Sequence, residues 1–276
     1  MKSRTMPRKI IVLLATALAV MLPGCGTLPA DGNASMTRQA AFVQRKAVVD
    51  GKSYRYQVFV PASAVAGPNP PVILFLHGSG ERGSDNDNQV EAGLGPYVRS
   101  HADEFPAIVV FPQVPDDEEW FGPSARVAFA ALDAATREFN GDTHRTYLTG
   151  MSMGGYGTWE LALMQPQRFA ALVPVCGAVK PPGDERALYV TQVANEADPY
   201  AAIAGQLHDL PVWIFHGAKD DVVPPADDRR LIAAFKAAGA EDARYTEFPG
   251  IGHNAWDPTY AQTPELWTWL FAQRRP

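Results

Sequence analysis

Short apolar runs recur along the chain and predict the strands of a buried sheet. Six predicted strands lie near Val72, Ile108, Tyr147, Leu172, Val212 and Tyr245, after two earlier predicted strands, Ala41 to Asp50 and Tyr54 to Val60. Unbroken apolar runs of about five residues are typical of parallel strands covered on both faces. Segments with helical patterning separate most of the later runs. The pattern therefore predicts an α/β fold with one mostly parallel eight-stranded sheet.

The segment from Arg145 to Ala162 carries a G-x-S-x-G pattern between a predicted strand and a predicted helix. Its central residue is Ser152, and its glycines are Gly150 and Gly154. The bare pattern arises by chance in roughly one chain in ten of this size. Its position is more specific, because a sharp strand-to-helix turn exposes the central hydroxyl while small neighbours let strand and helix close around it. Ser152 is therefore the candidate nucleophile, and a glycine-rich loop with an incidental serine is the alternative.

A serine nucleophile in such a turn requires an acid later in the chain, followed by a histidine. The apolar run from Val212 ends in a turn that carries Asp220 and Asp221. Asp220 is the predicted acid, because catalytic groups of open α/β sheets gather at the carboxyl ends of the strands. Asp221 is interpreted as a solvated turn residue or as a cap of the helix predicted over Ala226 to Ala238. Asp198 is the next alternative.

Three histidines follow predicted strands. His253 lies in a glycine-rich loop after the last strand, where flanking glycines let the loop reach back over the sheet edge, and it is the predicted general base. The alternative is a solvent-exposed loop histidine with no role. His77 and His216 each precede a glycine at the end of an apolar strand, and we expect them to be structural groups that bridge neighbouring loops.

The run from Val72 to Leu76 leads into a glycine-rich turn that is suited to binding an oxyanion. A backbone N–H in such a turn, together with the N–H after the nucleophile, can stabilise the developing negative charge. The predicted donors are Ser79 and Met153, with Gly80 next. A loop for nucleotide phosphates is the alternative, but neither G-x-G-x-x-G nor G-x-x-x-x-G-K-[ST] is completed there.

Four stretches carry a resemblance to a known family, namely His77 to Gly83, Gly150 to Trp159, His216 to Asp220, and Gly252 to Asp257. The chain resembles the compact bacterial α/β-hydrolase esterases related to dienelactone hydrolase, phospholipase/carboxylesterase-type enzymes and polyhydroxybutyrate-depolymerase-like feruloyl esterases. The resemblance spans roughly residues 45 to 273 and is loose for substrate, since relatives are also described as acetyl-xylan esterases and peptidases.

The resemblance implies an α/β-hydrolase fold, with helices on both faces of the sheet. It also implies that Ser152 attacks, His253 shuttles the proton and Asp220 orients the imidazole. About thirty-five residues between the strands near Val175 and Pro211 occupy the usual position of a cap, and they are too few for a large cap domain. We therefore expect a fairly open pocket.

The resemblance leaves three functions to weigh. The favoured one is hydrolysis of a small-molecule or carbohydrate-linked ester through an acyl-enzyme intermediate, without a cofactor. A serine peptidase of prolyl-oligopeptidase type is the alternative, although such enzymes normally carry a large N-terminal propeller that this sequence lacks. A noncatalytic hydrolase-fold binding protein is the third, and it would be expected to have lost a member of the triad. Aromatic side chains suited to stacking on a sugar or phenolic group, or equally to ordinary packing, are Trp120, Phe121, Tyr156 and Trp256.

The first forty residues have the layout of an export signal. Four cations, Lys2, Arg4, Arg8 and Lys9, precede an apolar run from Ile10 to Leu22, and Pro23-Gly24-Cys25 follows. Leu22 to Cys25 resembles the bacterial lipobox, which implies lipidation at Cys25. We therefore expect a signal peptide over residues 1–24, a lipidated cysteine and tether over 25–40, and a catalytic domain over 41–276. The protein should be exported and anchored to the cell envelope, with ordinary cleavage and release, or retention as an uncleaved anchor, as the alternatives.

Charge and cysteine content exclude further classes. The formal charge is −6, and removal of residues 1–24 takes away four cations and no acid, which leaves about −10. A chain with this negative charge is unsuited to binding nucleic acid. For the same reason, membrane attachment would come from the lipid anchor rather than from a basic patch. Six scattered histidines and the spacing of Asp85 to Asn88 predict no metal site. Cys176 is expected to be a buried core thiol.

Overall fold

A twisted eight-stranded sheet organises the part of the chain that the computed structural model describes, residues 39–65, 68–183 and 187–276. These residues belong to one unit that spans Thr37–Pro276. The strand order is β1-β2-β4-β3-β5-β6-β7-β8. The strands are β1 Ala41–Val49, β2 Lys52–Val60, β3 Val72–Leu76, β4 Ile108–Pro112, β5 Thr146–Met151, β6 Ala171–Val175, β7 Val212–Gly217 and β8 Ala243–Phe248.

The sheet is parallel from β4 onward, and β2 pairs antiparallel with both β1 and β4. Each of the central strands β3, β4, β5 and β6 is buried along its whole length. Burial on both faces explains the unbroken apolar runs of β3, β4 and β6, since no position faces water, while β5 also buries Thr146 and Thr149. The predicted mostly parallel eight-stranded sheet is confirmed.

Helices cover both faces of the sheet and create two apolar layers. They are α1 Leu94–Ser100, α2 Gly122–Glu138, α3 Met153–Met164, α4 Pro199–Leu207, α5 Ala226–Ala237, α6 Trp256–Ala261 and α7 Pro264–Ala272. One layer packs α2, α3, α4 and α5 against the sheet, and Trp159 and Phe235 lie in it. The other packs α1, α6 and α7, with Tyr260 and Trp269. The predicted α/β-hydrolase fold is therefore confirmed.

The bounds of two predicted strands were wrong by one or two residues. The first strand ends at Val49 rather than Asp50, because Asp50 and Gly51 adopt positive φ angles of 50° and 78°. Two consecutive positive φ angles form the tight turn that matches the twist of a hairpin. The second strand begins at Lys52, directly after this turn, rather than at Tyr54.

The segment between β6 and β7 contains only short elements among its described residues. They are a 3₁₀ turn at Thr191–Val193 and helix α4. Asp198 caps α4, because its Oδ1 accepts the N–H groups of Tyr200 and Ala201 at 3.1 Å. No large cap domain is found in the described part of this segment, as predicted. Within the described residues, no helix combines the length and apolar character required to cross a membrane.

Candidate active site

Ser152 occupies the turn between β5 and α3. Its φ of 53° and ψ of −118° are values that L-residues rarely adopt. The turn is tight, since a methyl group on Gly154 would lie 1.9 Å from the Leu76 carbonyl oxygen, and one on Gly150 would lie 2.2 Å from the Gly154 oxygen. Glycine is therefore required at both positions, and the two contacts hold the serine between strand and helix.

His253 reaches Ser152 from the loop after β8. Its Nε2 lies 2.8 Å from Ser152 Oγ, and its Nδ1 lies 2.7 Å from Asp220 Oδ2. The Nδ1–H donates to the carboxylate, which leaves Nε2 as the acceptor of the serine proton. Gly217 makes this approach possible, because a methyl group there would lie 2.0 Å from the Gly252 carbonyl oxygen.

Asp220 lies in the loop after β7 and is buried. Its Oδ1 accepts the N–H groups of Val222 and Val223 at 3.0 and 2.9 Å, so the carboxylate is fixed by its own loop. Burial raises the pKa of the Asp220 carboxyl, but hydrogen bonds from His216, His253 and the Val223 N–H outweigh burial and hold the pKa well below its usual range. The two alternative acids, Asp221 and Asp198, are exposed to solvent.

The two predicted oxyanion donors belong to the segments that follow β5 and β3, and Ser79 lines the same cavity as Ser152. Met153 is the first residue of α3, so its N–H has no acceptor within the helix and lies at the positive end of the helix dipole. Ser79 begins a 3₁₀ turn, Ser79–Glu81, directly after β3 and His77-Gly78. Because β3 and β5 are parallel neighbours, both donors lie at the same edge of the sheet.

A cavity of about 340 Å³ opens beside the serine. Its walls are largely apolar, and the lining residues are Gly78, Ser79, Gly80, Glu81, Met151, Ser152, Pro182, Leu188, Val222, Val223, His253 and Trp256. Of the four predicted aromatic side chains, Trp256 lines this cavity and stands perpendicular to the His253 ring at 5.5 Å between centroids.

The other three aromatic residues do not line the cavity. Trp120 is buried, and its Nε1–H donates to the His77 carbonyl oxygen at 2.9 Å. Tyr156 is also buried, and its hydroxyl donates to the Lys180 carbonyl oxygen at 3.1 Å. Phe121 precedes α2 and is half-buried. Packing rather than stacking on a ligand therefore explains Trp120 and Tyr156.

Comparisons with known proteins identify the family of this chain. Residues 125–274, which contain all three hydrogen-bonded side chains, match the model of the prolyl oligopeptidase family. The chain belongs to the prolyl oligopeptidase family. A protein of Nocardia uniformis subsp. tsuyamanensis named "Putative esterase NocK" is 28% identical over 225 residues, which cover 75% of this chain and 63% of NocK.

Two further relatives of this chain also have names that include the word esterase. The bifunctional acetylxylan esterase/xylanase XynS20E of Neocallimastix patriciarum is 25% identical over 177 residues, 60% of this chain and 21% of that protein. The crystal structure of a thermostable esterase superposes with a TM-score of 0.67 and 30% identity, covering 85% of this chain and 63% of the other. The chain thus spans less than two thirds of the length of each of these relatives.

Glu81 is a feature of the site that was not found from sequence. Glu81 lines the cavity half-buried; burial raises the pKa of its carboxyl, although hydrogen bonds from the Gly78 and Glu81 N–H groups oppose the rise. The stretch His77 to Gly83 contained this residue, but only the folded turn shows that it lines the cavity. A methyl group on Gly78 would lie 3.0 Å from Glu81 Oε2 and 3.6 Å from Ser152 Cβ, so both side chains face Gly78.

His77 and His216 bridge neighbouring segments, as expected. His77 Nε2 accepts the Val114 N–H at 3.0 Å, and burial lowers the pKa of this imidazole to about 4. His216 contacts Asp228 of α5 and the Val223 carbonyl oxygen. These contacts tie each strand end to the segment beside it.

Donor atoms of Cys176, Asp220 and His253 lie within 4.8 Å of one another, a spacing that would suit a metal ion. Asp220 and His253 are hydrogen-bonded to each other, however, and burial raises the pKa of the Cys176 thiol well above its usual value, with the Ser152 N–H opposing the rise. A protonated thiol is a poor ligand, so this donor set does not suit a metal. Cys25, the predicted lipidation site, lies outside the described residues.

Proposed function

We propose that the protein is a serine hydrolase that cleaves carboxylic esters through an acyl-enzyme intermediate. The observation that carries this proposal is the continuous hydrogen-bonded chain from Ser152 Oγ through His253 to Asp220, with distances of 2.8 and 2.7 Å. Nucleophile and base lie within hydrogen-bond reach, and a third group orients the base, which is the arrangement that nucleophilic catalysis requires.

Each member has a role in the proposed reaction. Ser152 Oγ attacks the ester carbonyl as its proton moves to His253 Nε2, and the resulting imidazolium then protonates the departing alcohol. Water repeats the sequence on the acyl-enzyme and frees Ser152. Asp220 stays ionised and holds the ring, in agreement with its low pKa.

The N–H groups of Met153 and Ser79 are the proposed oxyanion hole. Both are backbone donors next to the strained serine, and a helix N-terminus adds a favourable field at Met153. A fixed donor that meets charge developing in the transition state requires no reorganisation during the reaction.

The substrate class is a small-molecule or carbohydrate-linked ester. Support comes from the esterase names of NocK, the acetylxylan esterase/xylanase and the thermostable esterase. The cavity adds a charge preference, since Glu81 is an acidic side chain in a largely apolar wall beside the serine. We therefore infer that esters with an anionic group near the reacting carbonyl are poor substrates.

The family description favours a second candidate, a serine peptidase. A panel that compares an aryl ester with a prolyl anilide of the same acyl group separates the two. An ester hydrolase should show a kcat/KM for the ester that exceeds that for the amide by several orders of magnitude. Comparable values, or a preference for the amide, would favour the peptidase.

The test of the proposed function is the loss of activity in Ser152→Ala. This variant should remain folded, lose about 10⁶-fold in kcat and no longer react with a fluorophosphonate probe. Ser100→Ala removes an exposed hydroxyl from the end of α1 and serves as the matched control, with activity and labelling retained. A Ser152→Ala variant with more than a few per cent of wild-type activity would exclude the assignment.

We also propose that the protein is exported and held at the cell envelope by lipid on Cys25, with residues 26–40 as the tether. The basic start, apolar run and Leu22 to Cys25 support this proposal. It concerns location only, because Ser152, Asp220 and His253 all lie in the hydrolase fold.

A further inference from the structure

His216 is a second imidazole in contact with the acid of the proposed triad. It lies in β7 and its side chain is fully buried. Its Nε2 is 3.2 Å from Asp220 Oδ2, the same oxygen that His253 Nδ1 contacts at 2.7 Å. Asp220 Oδ2 therefore lies between two imidazole rings, and the mechanism derived above uses only one of them.

The partners of His216 determine where its protons lie. Nε2 is 2.8 Å from the Val223 carbonyl oxygen, which can only accept, so Nε2 carries a hydrogen. Nδ1 is 2.6 Å from Asp228 Oδ2, a distance that requires a proton between the two atoms. The other Asp228 oxygen, Oδ1, is buried without a hydrogen-bond partner in the part of the chain that the structure describes. Among the described residues, the Asp228 carboxylate is therefore hydrogen-bonded to His216 alone.

The electrostatic environment keeps this imidazole charged. Burial lowers the pKa of His216, but hydrogen bonds to Asp220 and Asp228 outweigh burial and raise the pKa to about 10. This raised pKa favours the form in which both ring nitrogens carry a proton and the imidazolium lies between Asp220 and Asp228. Burial raises the pKa of Asp228 as well, and His216 opposes that rise. The arrangement differs from that of His77, whose Nε2 accepts a backbone N–H and whose ring is neutral.

The groups on the surrounding elements do not replace this positive charge. Glu247 of β8 acts on His216 through its charge and is hydrogen-bonded to Arg229, and Asp227 of α5 adds negative charge near Asp228. Cys176, after β6, is a neutral thiol, because burial raises its pKa. Among these described groups, His216 is therefore the one that places a positive charge in contact with Asp220.

We propose that His216 and Asp228 are positioning residues of the triad: Asp228 holds His216 doubly protonated, and His216 orients Asp220 Oδ2 toward His253 while balancing its charge. The inference rests on the proposed function, since it concerns the same reaction. One consequence is that the Asp220 carboxylate is held in a single orientation for its hydrogen bond with His253 Nδ1. A second is that the triad resists protonation at low pH, because a positive charge already lies beside Asp220.

Asp228→Asn tests this inference without removing the ring that contacts Asp220. An amide removes one of the two carboxylates that hold the second proton on His216, so the pKa of this imidazole falls and its positive charge is weakened. We expect kcat for a neutral aryl ester to fall about tenfold or more, the effect of one lost charge-assisted hydrogen bond, with KM little changed. The acidic limb of the pH profile of kcat/KM should move to higher pH by about half a unit or more. The weakened positive charge is on His216, which contacts Asp220 directly, whereas the lost negative charge of Asp228 lies behind His216.

The control is His77→Gln, which replaces the other buried histidine that precedes a glycine at the carboxyl end of a strand. Because His77 is neutral, its loss should lower the melting temperature and leave the acidic limb in place. His216→Gln is the second test variant, and it should move the limb in the same direction as Asp228→Asn. A fall in melting temperature with kcat and the limb unchanged in both test variants would overturn the inference and reduce His216 to a structural bridge.

Nitrogen-15 NMR of histidine-labelled wild-type protein provides a readout that requires no variant to fold. We expect one imidazole, assigned by its correlation to the β7 backbone, to keep both ring protons across neutral pH. An unprotonated Nδ1 on His216 would contradict the inference. Failure of the proposed function itself looks different, because wild-type protein would then lack activity or Ser152→Ala would retain it.

Discussion

Single residues at the edge of the sheet carry the proposed chemistry, and their backbone shows how the fold supports them. Ser152 has a positive φ, which costs on the order of 1–3 kcal/mol and persists because strand, helix and two glycines fix it on both sides. Asp220 is fixed by two N–H groups of its own loop, so its orientation does not depend on His253 alone. The adjacent Asp221 is instead exposed to solvent, so these two neighbouring aspartates are expected to differ in role.

Asp220 and Asp221 provide a direct contrast at this scale. Asp220→Asn should lower kcat by about 10⁴-fold, because an amide sets the wrong histidine tautomer. Asp221→Asn should change kcat little, since its side chain is exposed to solvent. Steady-state kinetics on one aryl ester measures both, and the reverse ranking would move the acid to Asp221.

Glu81 should determine how the cavity responds to charge. Three p-nitrophenyl esters with acyl chains of matched length that end in methyl, carboxylate or ammonium are the probes. Relative to the methyl ester, Glu81→Gln should raise kcat/KM for the carboxylate ester and lower it for the ammonium ester, each by about 3- to 10-fold. Glu241→Gln makes the same charge change just before β8, at the amino ends of the parallel strands and so at the end of the sheet opposite the site. It should alter neither ratio. Equal responses of the two variants would exclude a role for Glu81.

At the scale of elements, the carboxyl ends of the parallel strands gather the site. Ser152 follows β5, Asp220 follows β7 and His253 follows β8, so the parallel order brings residues distant in sequence to one edge. Backbone approaches that require glycine join these elements. A methyl group on Gly155 of α3 would lie 2.7 Å from Gly177 Cα, and the β7 end meets the His253 loop at Gly217.

Gly217→Ala tests whether β7 and the His253 loop must touch. The added methyl group would meet the Gly252 carbonyl oxygen at 2.0 Å, so the loop must shift. We expect a loss of about 1–3 kcal/mol in the free energy of unfolding, with a fall in kcat as His253 moves away from Ser152. Gly205→Ala in α4 is the matched control, because a methyl group there contacts nothing within 4 Å. It should stabilise by about 0.5–1 kcal/mol and leave kcat unchanged, as denaturant titration and kinetics would show.

At the scale of the whole molecule, sequence predicted the features that depend on local pattern and chain order. Local sequence pattern predicted all eight strands, and the order serine, acid, histidine selected the three side chains that the fold brings together. It missed features that depend on packing between distant elements. The contact of His216 with Asp228 requires β7 to lie against α5, and the burial of Trp120 requires the segment before α2 to cover His77.

The proposed anchor is also a property of the whole chain. Expressed in a bacterial host, the full-length protein should incorporate labelled fatty acid and partition with membranes, and Cys25→Ser should block both. Catalysis should survive the substitution, because Cys25 lies outside the predicted catalytic domain. A soluble wild-type protein whose mature chain begins at another residue would identify the segment as an ordinary secretory signal.

Direct observation of acyl transfer to Ser152 is the decisive measurement for the proposed hydrolase. Wild-type protein mixed with p-nitrophenyl acetate should release a burst of p-nitrophenol that is stoichiometric with enzyme. Acid quenching and mass spectrometry of the proteolysed protein should then place the acetyl group on the peptide that contains Ser152. A burst that persists in Ser152→Ala, or an acyl group found on another residue, would contradict the assignment.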